Sequence, residues 1–320
     1  MPGLSEMVNL ARVAFNDQMQ RSLEQRENPL MGTFQNIDIV ANQTYWDTIG
    51  PISLDLTTND FEAVNPTQPD MGRRKITWKH FDKPLAVSMD QIRRAREVRP
   101  EFIPALQQAA VEKEIEEMID SFEATAYAGD TGDTATAFTA VDMVDTPATG
   151  NVIPADANDD GTGHTAAARS MVYSKVRMIN KFATKRKWSS TDPVYCLISE
   201  EELDAMRQIS QFNDSTLITT SKTPAARVQT FNWEFINWIV LPSGFFNTGA
   251  SIVGALGNVR YCYAWTLSAM RFGWVKNAET RLDDTGARTR NNNTFQFKIN
   301  HAFGTTRGRE NGVFRVESRL

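Results

Sequence analysis

Between Pro104 and Ala128 the chain reads PALQQAAVEKEIEEMIDSFEATAYA. Counting from Ile103, the apolar residues Leu106, Ala110, Ile115, Met118, Ile119, Phe122 and Ala126 recur on one helical face. Pro100 and Pro104 suit a first helical turn, and Gly129 stands where a C-terminal cap belongs. The spacing predicts one helix to Ala128, about 25 residues and about 37 Å long, with glutamates on its outer face. A rod of that length can brace a whole subunit.

N-terminal to this helix the period changes to two. Ile52, Leu54 and Leu56 alternate with polar residues through Thr57, and a matching strand is predicted over Ile76–Phe81. The polar, proline-bearing run from Asn65 to Gly72 between them makes a protruding hairpin with a long tip. Two strands alone are unstable in water, so this hairpin needs a partner surface. Ser5 to Glu27 reads as an amphipathic helix ended by Asn28-Pro29, also too small to own a core.

C-terminal to it, Asp130 to Gly163 is rich in Thr, Asp, Ala and Gly and reads as an extended excursion. Helical spacing returns from Thr165 to Lys187, Val194–Ile198 is a short buried strand, and Ser199 followed by three glutamates opens a helix with N-cap chemistry. Phe235–Leu241 and Asn258–Trp265 are further strands, which gives an α+β module over about 165–270. In the tail, Asp283-Asp284-Thr285-Gly286 reads as a turn and Phe295–Phe303 as an alternating strand. A basic loop with Arg307 and Arg309 follows, and Gly312–Val316 is the last strand.

The 320 residues, 41% of them hydrophobic and 23% charged, can bury one large or two ordinary cores. A mean hydropathy of −0.40 and the lack of a long uncharged apolar run argue against a membrane span. The N-terminal residues show no secretory pattern, and Cys196 and Cys262 are too few for a disulfide framework, so a soluble protein made in a reducing cytoplasm is expected. The net charge of −5 lacks the basic excess of a dedicated nucleic-acid reader. Charge is segregated, however: no Lys or Arg occurs from Glu114 to Ala168, and Arg169, Lys175, Arg177, Lys181, Lys185, Arg186 and Lys187 follow at once. Adjacent blocks of opposite sign suit contacts within or between copies, although two solvated helical faces are the more ordinary reading of any single block.

No phosphate-binding, dinucleotide, nucleophile-elbow or HExxH motif is present. His80, His164 and His301 are far apart in sequence and read as packed or surface imidazoles, so no catalytic residue is assigned. Asp156-Ala157-Asn158-Asp159-Asp160-Gly161 fits half of a calcium loop, but its twelfth position is Ala167 in place of the required Glu, so it reads as an acidic turn and no metal or cofactor is expected. The aromatic cluster from Phe231 to Trp274, Phe235 included, lacks an interleaved basic pattern and reads as core.

In order, the chain has a terminal arm, a long-tipped hairpin, a long helix, an acidic excursion, an α+β module and returning strands. That order, with the stretches RYCYAWTLSAMRFGW (260–274) and TFQFKINHAFGTTRGRENGVFRV (294–316), resembles the major capsid proteins of tailed bacteriophages, which share the α+β Hong Kong ninety-seven fold. The resemblance implies an N-terminal arm (1–48), an E-loop hairpin (49–90), a P-domain with spine helix and excursion (91–164), an A-domain (165–270) and C-terminal P-domain strands (271–320), with Phe295–Phe303 and Gly312–Val316 in the P-domain sheet. It further implies a homo-oligomer of hexamers and pentamers closing an icosahedral shell, with a portal and packaged double-stranded DNA contacted without sequence preference. The N-terminal stretch carries no long coiled-coil segment, so a separate scaffolding protein is expected. Phe61, Met71, Arg73, Arg74, Lys75 and Trp78 are the inter-subunit contact candidates on the hairpin. A cross-link from Lys75 or Lys79 to one of Asn291–Asn293 is a further idea that the family suggests.

Two other readings stand beside it. One is a different phage structural subunit, such as a ring or decoration protein. The other is a soluble α+β enzyme with a carboxylate site at Glu112, Glu116 and Asp120, three acids that would more simply solvate a helix face.

Overall fold

A computed structural model describes residues 28–39, 41–49, 71–88, 102–147, 149–158, 163–165, 167–188, 191–210, 212, 219–221, 230–284 and 294–320. The predicted arm helix, the strand at Ile52–Thr57, most of the hairpin tip and Asn291–Asn293 lie outside these residues. Among the described residues no helix is long and apolar enough to cross a membrane.

Three sheets organise the chain. A four-stranded sheet runs in the order Gln35–Asn36, Met270–Asp284, Thr294–Arg307, Lys79–Ser88. An eight-stranded sheet has Val313–Arg319, Asn258–Thr266, Val194–Ser199 and Ile236–Leu241 at its centre. A second four-stranded sheet joins Gln43–Ile49, Met71–Thr77, Ala126–Ala128 and Thr134–Thr136. The helices are α1 (Phe102–Asp120), α2 (Tyr173–Lys185) and α3 (Glu200–Arg207).

The core lies where α1, α2 and the eight-stranded sheet meet. Phe122 stacks on Tyr263 at 4.6 Å and tilts against Trp265 at 4.8 Å, while Phe34 meets both Phe122 and Trp265 edge-on. Trp265 is fully buried, and its indole N–H is satisfied by the Thr33 carbonyl at 2.9 Å. Residues Met178, Ile179 and Phe182 on α2 pack into the same cluster.

Several expected boundaries are corrected. The long helix stops at Asp120, not Ala128, and Ala126–Ala128 is a strand. Two features end it. The amides of Phe122 and Glu123 turn back to the Ile119 and Asp120 carbonyls in a tightened last turn, and Arg307 Nη1 donates to the carbonyls of Phe122 (2.6 Å) and Ala124 (3.1 Å). Arg307 is therefore a buried cap at the end of a strand, not part of a basic loop. Gly129 does need its positive φ of 92°, but for the turn between Ala126–Ala128 and Thr134–Thr136.

Ile76–Phe81 is likewise not one strand: Trp78 interrupts it, leaving Met71–Thr77 in one sheet and Lys79–Ser88 in another. The helix expected from Thr165 begins at Tyr173. Asp283 and Asp284 belong to a strand, pairing with Gln296 and Phe295, and do not turn. The closing strand Val313–Arg319 pairs with Asn258–Thr266 in the eight-stranded sheet, so it does not share a sheet with Phe295–Phe303. The predicted Val194–Ile198 strand and the Ser199 cap are found, the latter as a full capping box with Glu202.

Candidate inter-subunit surface

The strand paired with Met71–Thr77 is Gln43–Ile49, most of it expected in the terminal arm, and not the predicted partner Ile52–Thr57; this hairpin ladder runs from Gln43 opposite Thr77 to Ile49 opposite Met71. Alternation along it makes two faces. The inner face holds half-buried Trp46 and fully buried Ile76. Ile76 packs close to Gly304, where a Cβ would come within 3.1 Å of the Ile76 side chain, so glycine permits this approach. The hairpin base is thus seated on its own subunit and widened by the strands at 126–128 and 134–136, which corrects the expectation of an isolated two-stranded arm.

The outer face carries Tyr45, Asp47 and Ile49 opposite Lys75, Arg73 and Met71. Asp47 and Arg73 form a 2.8 Å ion pair in solvent. Beyond it, where the described ladder ends, Ile49 (65% exposed) and Met71 (62% exposed) face each other as an uncovered apolar pair.

The six anticipated contact residues separate. Met71 and Arg73 lie on the outer face. Arg74 turns inward to Glu310 at 3.0 Å and the Arg307 carbonyl. Lys75 is buried between Asp133, at 2.7 Å, and the ring of Tyr127, at 4.4 Å from its centroid. These two hold the hairpin to its own subunit. Trp78 is half-buried with its ring edge-on to His80, and Phe61 lies outside the described residues.

A second projection was missed in sequence. Thr230–Trp233 and Ile236–Leu241 form a hairpin whose two-residue turn is Glu234-Phe235. Both turn residues have positive φ, 53° and 62°, a conformation that favours Asn-Gly and strains a phenylalanine. The turn is fixed from α2: Tyr173 Oη donates to the Glu234 carboxylate at 3.2 Å, and Asn180 Nδ2 to its carbonyl at 2.9 Å. Phe235 is left 88% exposed, whereas its neighbours Trp233 and Ile236 are fully buried. Its expected place in the core is corrected, as is that of Trp274, which is 37% exposed. The turn backbone is thus fixed while the Phe235 ring stands in solvent, an exposed aromatic of the kind that contact anchors use.

The carboxylates of the enzyme reading do not converge on a site. Glu112 accepts from Gln108, Glu116 pairs with Lys113, and Asp120 accepts from Asn247.

Comparison with known proteins bears on the family and the fold. A family model described as phage capsid protein matches residues 8–319. No curated protein matches. Among solved structures, the capsid asymmetric unit of cyanophage Pam1 is similar at 12% identity and a TM-score of 0.57, covering 95% of this chain and 92% of that one. The capsid of a native GTA particle (9%, TM-score 0.58) and a chain of Mycobacterium phage Cain (14%, TM-score 0.54) each cover 92% of this chain and 91% of their own. At these identities they show the fold alone.

Proposed function

This chain belongs to the phage capsid protein family, and from that premise we propose that its copies assemble as hexamers and pentamers into a closed icosahedral shell around double-stranded DNA. Its role is that of a structural shell subunit of the virion. No catalytic role is assigned. Assembly in the host cytoplasm, a separate scaffolding protein, a portal and weak sequence-independent DNA contact complete the reading.

The observation that carries the assembly contacts is the outer face of the 43–49/71–77 hairpin, where the Ile49–Met71 pair stands uncovered beyond a solvent ion pair. A neighbouring copy supplies the missing cover, and reciprocal lending repeated around each subunit gives a lattice strength that no single contact has. The rigid Phe235 turn is the second contact point. Electron microscopy of the purified chain, alone and with a scaffolding protein, tests this reading. Shells or capsomers are expected, and a monodisperse monomer under all assembly conditions contradicts it.

A further inference from the structure

In the excursion between α1 and α2, His164 lies among three carboxylates. Its Nδ1 is 2.9 Å from Oδ1 of Asp156, which is almost fully buried. Its Nε2 is 3.5 Å from Asp142 Oδ2 and 3.4 Å from Asp145 Oδ1. Backbone contacts set these positions: Asp142 bridges Val152 in parallel and His164 bridges Ala157 in antiparallel. The Val144 amide donates to Asp142 Oδ1 at 2.7 Å, leaving Oδ2 for the imidazole.

The two Nε2 separations exceed the usual N–H···O range of about 2.7–3.2 Å. They match the spacing that a shared cation imposes. With metal–nitrogen and metal–oxygen bonds of about 2.0–2.2 Å at near-tetrahedral angles, ligand atoms stand about 3.4 Å apart. The ligating oxygens and nitrogen of Asp142, Asp145 and His164 all lie within 4.8 Å of one another. The remaining imidazole nitrogen is held by a buried carboxylate, the arrangement that fixes the tautomer and orientation of metal-ligating histidines. Three carboxylates meet one imidazole in a stretch, Glu114 to Ala168, that contains no Lys or Arg.

We propose that Asp142, Asp145 and His164 form a binding site for a divalent first-row transition cation of the zinc class, with Asp156 as the positioning residue and water completing the coordination. The mixed nitrogen and oxygen donors favour such a cation over calcium or magnesium, which take oxygen ligands. Asp156 is thus the residue that orients the histidine, not the first ligand of a calcium loop. Bound metal would tie the 142–145 turn to the bridge at His164. The proposal does not depend on the assembly reading and fails or stands separately.

The test uses the purified, metal-stripped full chain. Zinc chloride at saturation is expected to raise Tm by about 3 °C or more, with calcium chloride as the inactive control. Cobalt(II) should give visible absorption bands. Asp145→Asn, at an exposed position, should leave the metal-free Tm unchanged and weaken zinc binding at least about tenfold. Asp156→Asn should weaken it about 10–100-fold with unchanged secondary structure by circular dichroism. No zinc-dependent shift and no cobalt bands in the unaltered chain would overturn the proposal, as would an Asp145→Asn chain that binds zinc as tightly as the original.

Discussion

Glu114 on α1 lies 2.6 Å from His301 Nε2 on the strand Thr294–Arg307, with both side chains buried. The other Glu114 oxygen accepts from Asn28 at 3.1 Å, and the Trp274 indole reaches Oε1 at 3.4 Å. One carboxylate thus joins the long helix, two strands and the segment at residue 28. Removing it strands several polar groups in a dry site. Glu114→Ala should therefore cost about 3 kcal/mol in urea unfolding. Glu112→Ala, two residues away on the solvated side, should cost no more than about 0.5 kcal/mol. Equal effects from the two would show that the network does not brace the helix.

The outer hairpin face makes the opposite kind of prediction. Ile49 and Met71 are exposed, so the double change Ile49→Lys, Met71→Lys should leave subunit stability within about 0.5 kcal/mol. Assembled particles, measured by sedimentation, should fall at least tenfold, because two buried charges without partners oppose the contact. Normal particle yield would show that this face stays in solvent in the shell.

At Phe235 stability and assembly should part. Glycine relieves a left-handed strain of about 1–2 kcal/mol. It returns about 0.5–1 kcal/mol as extra unfolded-chain entropy. Phe235→Gly should therefore raise subunit stability slightly while weakening assembly, and Phe235→Ala should weaken assembly without the gain. Assembly that tolerates both changes would remove Phe235 from the contact.

Lys175 gives a pH signature. It is fully buried, donating to the Arg169 and Glu317 carbonyls at 2.7 Å each, and burial lowers its pKa to about 7. The unfolded chain keeps the ordinary value of 10.5, so between pH 7 and 10.5 it binds more protons than the folded one. The burial cost is full below pH 7 and fades as pH rises to 10.5. Stability relative to Lys175→Met should accordingly increase by about 2 kcal/mol from pH 7 to pH 9, measured by denaturant unfolding. A pH-independent difference would mean that the buried amine does not titrate in that window.

What the sequence made legible was local. The Ser199–Glu202 capping box and the apolar run at Val194–Ile198 follow from contacts within a few residues, and both were read correctly. The resemblance to phage capsid proteins, carried by the order of elements and the stretches at 260–274 and 294–316, is borne out by the family match. What was missed depends on distant partners. Arg307 ends α1 from 185 positions away, and His301 meets Glu114 from 187. The Phe235 turn gave no signal because Glu-Phe lacks the residues that favour positive φ. Only the two-residue gap between buried Trp233 and Ile236 could have marked it.

The central claim is that a neighbouring copy covers the outer hairpin face and the Glu234-Phe235 turn. A cryo-electron microscopy map of assembled particles tests it most directly. The account predicts that Ile49, Met71 and Phe235 are each buried against another subunit. A shell in which all three remain in contact with solvent would contradict it.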